Sequence, residues 1–134
     1  MSYDSASSEI RARLKAQWAA RTPIAWPNLS FKPPNPAAPW MRFMIKEGEA
    51  QRISIGSSTN DYRHPGIITL QLFDALGGGD GPLTRLADQA AGFFQSWSGV
   101  NVVCQTATVN TIGDDGEGWY QINVTIPYYW DDLK

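Results

Sequence analysis

The chemistry this 134-residue chain could do rests on a few groups of side chains. The first is Gly77-Gly78-Gly79-Asp80-Gly81, which stands between a β-like run and an amphipathic stretch, the order in which phosphate-binding loops are built. A Walker-type loop starting at Gly77 needs glycine at 82 and lysine at 83, but the chain has Pro82 and Leu83. A dinucleotide fingerprint from Gly77 also needs glycine at 82. Asp80 would repel a phosphate where the helix dipole should attract one. The cluster therefore reads as a strand-to-helix turn, and no cofactor is expected.

His64 is the single histidine, and Ser57, Ser58 and Asp61 lie near it. Together they could supply the nucleophile, base and acid of a small hydrolase-like enzyme. They are also the residues from which polar turns are made. One histidine without clustered carboxylates is a poor metal-ligand set. Asp114, Asp115 and Glu117 fall in a hairpin turn without the alternating spacing of a calcium loop, and Asp131 and Asp132 follow the last strand. Cys104, alone, excludes an internal disulfide and a cysteine zinc cluster, and reads as a small buried hydrophobe. No catalytic, metal-binding or cofactor-binding residue is assigned, and the chain is read as a non-enzyme.

The elements that hold these residues are legible from periodicity. Ser5 to Arg21 reads as a helix with a narrow stripe of Ile10, Leu14 and Trp18, and with Arg11, Arg13, Lys15 and Arg21 on a solvated basic face. Asn28 to Pro39 carries four prolines in twelve residues and reads as an extended arm or surface loop. In Trp40 to Glu47, Met41, Phe43 and Ile45 alternate with Arg42, Met44 and Lys46. A turn at Glu47-Gly48-Glu49 then predicts a hairpin with Gln51 to Ile55. Ile67 to Phe73 is a further strand. Pro82 to Trp97 predicts a helix with a broad apolar stripe and Gly99 as its left-handed cap. Val100 to Ile112 and Trp119 to Tyr129 predict a second hairpin around Gly113 to Gly116.

These patterns give one domain over 1–134, of α+β class: a mostly antiparallel β-sheet with two helices packed on one face. The other face would carry Arg42, Lys46, Arg52, Thr69, Gln71, Gln121, Asn123 and Thr125. Such a polar, mildly basic face is either solvated or lines a channel between subunits. A net charge of −2 offers no basic footprint for tight nucleic-acid binding. There is no membrane-length apolar run, and the first residues lack the apolar core of a signal peptide, so a soluble protein of a reducing cytosol is expected. Six tryptophans, several at strand margins, exceed one small core's needs and suit interfaces.

The order of features resembles a known family. A helix with alternating alanines and basic residues precedes Asn28 and a proline-rich arm, then PWMRFMI at 39–45. YRHPGIITLQLF, GGGDGPLTRLADQAAGFF and GWYQINVTIPY at 118–128 follow. This is similar to the tail terminator-like proteins of long-tailed bacteriophages (the lambda-type, minor tail protein U-like proteins) over most of the chain. The resemblance implies a virion protein of the tail and neck, assembled in the bacterial host cytoplasm. It implies a homo-oligomer, a hexameric ring, on the phage tail tube protein, which stops tube polymerisation and joins the head–tail connector or neck proteins. Genomic DNA would pass through the bore without sequence-specific binding. Arg63, Gly66 and Gly118-Trp119-Tyr120 match as fold determinants, and no catalytic residue carries over.

On this reading Arg52, Asp61, Tyr62, Arg63, Asp114 and Asp115 are candidate inter-subunit or partner contacts. The loop at 56–65, the proline-rich arm and the basic first helix are further donors. Arg42, Lys46, Gln71, Gln121 and Asn123 are the candidate lumen-facing polar sheet face. The alternatives are another head-closure or tail-completion protein, a small enzyme using His64, and a monomeric ligand-binding domain.

Overall fold

The computed structural model describes residues 2–18, 21–52 and 61–133, with the backbone alone at Asp61 and Leu133. Its elements are α1 (Tyr3–Trp18), β1 (Ile24–Ala25), β2 (Trp40–Glu47), β3 (Gln51–Arg52), β4 (Asp61–Ala75), α2 (Gly81–Phe94), β5 (Val102–Cys104), β6 (Thr108–Asp114) and β7 (Trp119–Leu133). They form one sheet of seven strands in the order β1-β2-β4-β7-β5, with β3 also on β4 and β6 also on β7. Only β1 is parallel to its neighbour. The α+β class, with both helices on one face, is therefore the observed one.

The central pair, β4 and β7, runs antiparallel from Asp61↔Leu133 to Ala75↔Trp119. Its alternation sends Ile68, Leu70, Leu72, Ile122, Val124 and Ile126 to one side, all 1% exposed or less. Ile10, Leu14 and Trp18 from α1 and Leu83, Ala87, Ala90 and Phe94 from α2 close over them in the main core.

Two expected hairpins are built differently. β2 and β3 do not pair with each other; both lie along the same edge of β4. Gly48 donates its N–H to Pro65 O at 2.8 Å, so the chain runs on past Glu47 instead of reversing. The pairing passes from Glu47↔Gly66 to Gln51↔Arg63, four residues against three. That extra residue acts as a bulge and flips the faces beyond it. Val100 to Ile112 is likewise two strands, β5 and β6, on one edge of β7, with a one-residue shift between Cys104↔Tyr128 and Thr108↔Thr125.

The glycine cluster is the expected turn. Gly77 and Gly79 hold φ of 84° and 78°, and Pro82 sits in the first turn of α2. The helix ends at Phe94, earlier than its apolar stripe suggests, and the left-handed residue after it is Ser96 (φ 56°), not Gly99. Gly99 has another use: a side chain there would collide with the Glu9 carboxylate. That carboxylate accepts the N–H groups of Asn101 (3.1 Å) and Val102 (3.0 Å), fastening α1 to the start of β5.

The basic residues of α1 are not merely solvated. Arg13 donates twice to Phe93 O, at 3.0 and 2.8 Å, satisfying a carbonyl in the last turn of α2. Arg11 lies over Trp26 and Phe43, Lys15 over Trp26, and Arg21 over Trp18 and Phe93. Their cationic heads lie over aromatic rims of the core; Lys15 and Arg21 are exposed, as a solvated face requires, while Arg11 and Arg13 are half-buried.

Candidate functional surface

Cross-strand register assembles the sheet face that the helices leave open. Arg42, Gln71, Asn123 and Asn110 form one continuous row across β2, β4, β7 and β6. Arg42 Nη1 donates to Gln71 Oε1 at 3.3 Å, and Gln121 Nε2 donates to Asn123 Oδ1 at 2.7 Å. Met44, Thr69, Thr125 and Thr108 form the next row, and Lys46 and Ile67 the one beyond. Arg42, Lys46, Gln71, Gln121 and Asn123 thus share one face, as their alternation predicts. Arg52 does not join them. The bulge before β3 puts it beside Tyr62 and Asp132, on the opposite side of the sheet, and brings Gln51 to the open face.

The face is not uniformly polar. At one end Trp40 stacks between Phe31 (5.0 Å) and Phe73 (4.3 Å), with Trp119 edge-on at 5.8 Å. These rings and Ala25 make a second, smaller core, and Arg42 lies 5.4 Å from both the Trp40 and Phe73 rings. Gln121 is only 9% exposed beside it. The proline-rich arm brings Phe31 down to cover this end of the face, a contact that the pattern of the strands does not show. A cavity of about 450 Å³ remains between that arm and β2, lined by Trp26, Leu29, Phe31, Trp40, Phe43 and Met44 among others.

The candidate contact residues fall into two groups at opposite ends of the β4–β7 ladder. At one end Arg63 makes a bidentate pair with its cross-strand neighbour Asp131, at 2.9 and 3.0 Å, and its guanidinium lies 3.9 Å from the Tyr129 ring. The hydrogen bond to Asp131 raises the Arg63 pKa further above its ordinary value. Tyr62 and Arg52 lie one residue further along the ladder on the other face, with Asp61 at its end. At the other end Asp114 accepts Gly116 N–H (2.8 Å), while Asp115 accepts those of Glu117 (2.7 Å) and Trp119 (3.1 Å). Both carboxylates therefore build the β6–β7 turn.

His64 stacks on Trp130, its cross-strand partner, at 3.9 Å and 6°, and its Nε2 is buried without a hydrogen bond among the described residues. Ser57 and Ser58 lie outside the described residues, as does the side chain of Asp61. Cys104 is 3% exposed, and burial pushes its thiol up to about 12, far from a reactive thiolate at neutral pH. Among the described residues no three His, Cys, Asp or Glu side chains gather into a metal-ligand set, and no helix is long and apolar enough to cross a membrane.

A solved structure 19% identical in sequence superposes with a TM-score of 0.68 over 97% of this chain and 96% of its own, which shows a shared fold. No curated protein matches the sequence. The family model for the phage tail terminator protein matches residues 7–128, from the first turns of α1 to Tyr128 at the rim of the core. With nine-tenths of its length matched, the chain belongs to the phage tail terminator family, a structural component of the virion with a role in completing the tail.

Proposed function

We propose that this protein closes the phage tail as a ring of identical subunits, a hexamer, seated on the end of the tail tube. The ring stops tube polymerisation and offers its far side to the head–tail connector or neck proteins. The observation that carries this reading is the separation of the two contact groups. Arg63–Asp131 and the Asp114–Asp115 turn lie towards opposite ends of a ladder of fifteen residue pairs, roughly 35–40 Å apart along the strands. With the strands set along the ring axis, one end meets the tube and the other the neck, and the sheet edges meet neighbouring subunits.

The open face suits a bore. Its central polar groups are partly matched among themselves, Arg42 with Gln71 and Gln121 with Asn123, so few fixed phosphate contacts form. DNA passes along such a wall without being gripped.

Tail joining in an assembly assay, with electron microscopy of tube ends, tests the reading. Charge reversal at Arg63 or Asp114 is expected to abolish joining of tails to heads, whereas His64→Ala leaves it intact. Normal joining by both charge-reversed variants would remove these residues from the contacts. Loss of a catalysed reaction on His64→Ala would favour the enzyme reading.

A further inference from the structure

The two lateral edges of the sheet differ, and each is incomplete. β6 pairs with β7 and, among the described residues, with nothing on its outer side. Its first five residues, Thr108 to Ile112, are all exposed, Val109 at 41% and Ile112 at 46%. The run TVNTI contains no charge, proline or glycine, and its regular pairing is interrupted only at its end, by a bulge at Ile112, so Thr108 to Thr111 carry none of the usual devices against edge pairing. The neighbouring β5 is protected, because Ser98 bridges to Val103 on its outer side.

At the opposite edge β1 covers β2 only at Met41 and Arg42. Met41 donates to Pro23 O on that side at 3.0 Å, while Gly48, beyond the end of β2, donates inward to Pro65. Strand alternation therefore aims the amides of Phe43, Ile45 and Glu47 outward; the Ala25↔Arg42 pairing takes that of Phe43, which is fully buried, and those of Ile45 and Glu47 lie past the point where β1 leaves. The gap is the cavity between the arm and β2, and Met44 on its rim is 38% exposed.

We infer that β6 of one copy pairs with the bare part of β2 in the next, extending the sheet from subunit to subunit. The occupant is a second copy of this chain, for three reasons. Both halves of the contact exist on each chain. Their free regular lengths agree, four residues at Thr108–Thr111, before the bulge at Ile112, and four at Met44–Glu47. Their directions also agree: β2 runs with β7 and against β6, so the new pair is antiparallel like most of the sheet. A contact between two different edges is heterologous, the kind that closes into a ring when the rotation permits.

This inference rests on the ring reading, and the experiment separates the two. Met44 and Asn110 lie on the same open face, so lysines at both positions oppose each other across the proposed pair. Sedimentation is measured for wild type, for Met44→Lys with Asn110→Lys, and for Met44→Glu with Asn110→Lys, with circular dichroism to confirm folding. The double lysine is expected to weaken ring association at least about tenfold, and the opposite-charge pair to restore it. In parallel, Met44→Cys with Asn110→Cys and Met44→Cys with Thr108→Cys sample the two adjacent registers. Under oxidation one of them should give a ladder of cross-linked copies, since facing strand residues lie within disulfide reach.

Wild-type rings with no ladder and no effect of the lysines would overturn the edge pairing and leave the ring standing. A wild type that is monomeric both free and at tube ends would sink the ring. In that case a ladder of open chains would uphold edge pairing alone, and its absence would sink both.

Discussion

Tyr128 lies with its ring across Gly66, its cross-strand partner in β4, and fills the space that a side chain there would need. An added Cβ at Gly66 would stand 2.5 Å from the Tyr128 Cζ and Oη. Tyr128 is 2% exposed, so the ring cannot swing into solvent without opening the core. Gly66→Ala is expected to lower stability by about 1–3 kcal/mol through overpacking, read as a lower denaturation midpoint in urea. The same substitution made in a Tyr128→Ala background should cost far less, because the colliding ring is gone. Equal costs in the two backgrounds would place the strain elsewhere.

Glu9 predicts a local effect with a clear spectroscopic sign. Its carboxylate holds the amides of Asn101 and Val102, which the turn before β5 leaves without main-chain partners in the sheet. Glu9→Ala should destabilise the protein by about 1–3 kcal/mol, the usual cost of leaving partly buried donors unpaired. Hydrogen exchange at Asn101 and Val102 should accelerate more than at Ile68 or Val124 in the central strands.

The Arg63–Asp131 pair separates stability from assembly. Both side chains are near 40% exposed (39% and 41%), so the bidentate pair is largely screened by solvent. Arg63→Ala is expected to change folding stability by no more than about 1 kcal/mol while impairing tail joining. A large thermal shift with normal joining would instead make this pair a fold-building feature.

Cys104 links stability to pH. Burial raises its folded pKa to about 12, against an ordinary value of 9.0. The thiol is largely neutral in both states below about pH 8, so it adds little pH dependence there. From about pH 9 towards 12 the unfolded chain loses a proton that the folded chain keeps, and stability falls as pH rises. The slope for one proton is about 1.4 kcal/mol per pH unit. Cys104→Ala should flatten the decline by that amount in urea titrations at pH 9.5 and 10.5. The native thiol should resist a maleimide at pH 8 until the protein is unfolded.

Much of the fold was legible because its long elements carry strong periods. The stripe of Leu83, Ala87, Ala90 and Phe94 and the alternation from Tyr120 to Tyr128 each commit one face to burial, whatever the rest of the chain does. The turn at Gly77 to Gly81 and the start of α2 at Pro82 followed from local backbone preference. The five residues of the polar face followed from the same alternation and were brought onto one surface.

The errors have a common cause. Gly48 and the 105–107 segment look like turn and strand by composition, but each inserts one residue into a ladder, and that is decided by where β4 and β7 hold the partner groups. Arg52 changed faces for this reason. The second core around Trp40 and Phe73 went unread, because the arm that brings Phe31 over them is irregular and has no period to detect. The contacts of Arg11, Arg13 and Lys15 were not legible because their partners, Phe93 O and the rims of Trp26 and Phe43, lie on other segments of the chain.

The sequence by itself determined the class of fold, the two packing helices, the buried face of each long strand and the glycine turn, since these depend on local period and backbone preference. Its ordered motifs also pointed to the tail terminator family. Tertiary structure alone decided register, bulges and edges: which residue stands opposite Arg63, which face Arg52 takes, and which strands are left unpaired. Those features arise where backbone groups far apart in sequence compete for the same hydrogen bonds, and for a protein that works by its surfaces they decide what it can meet.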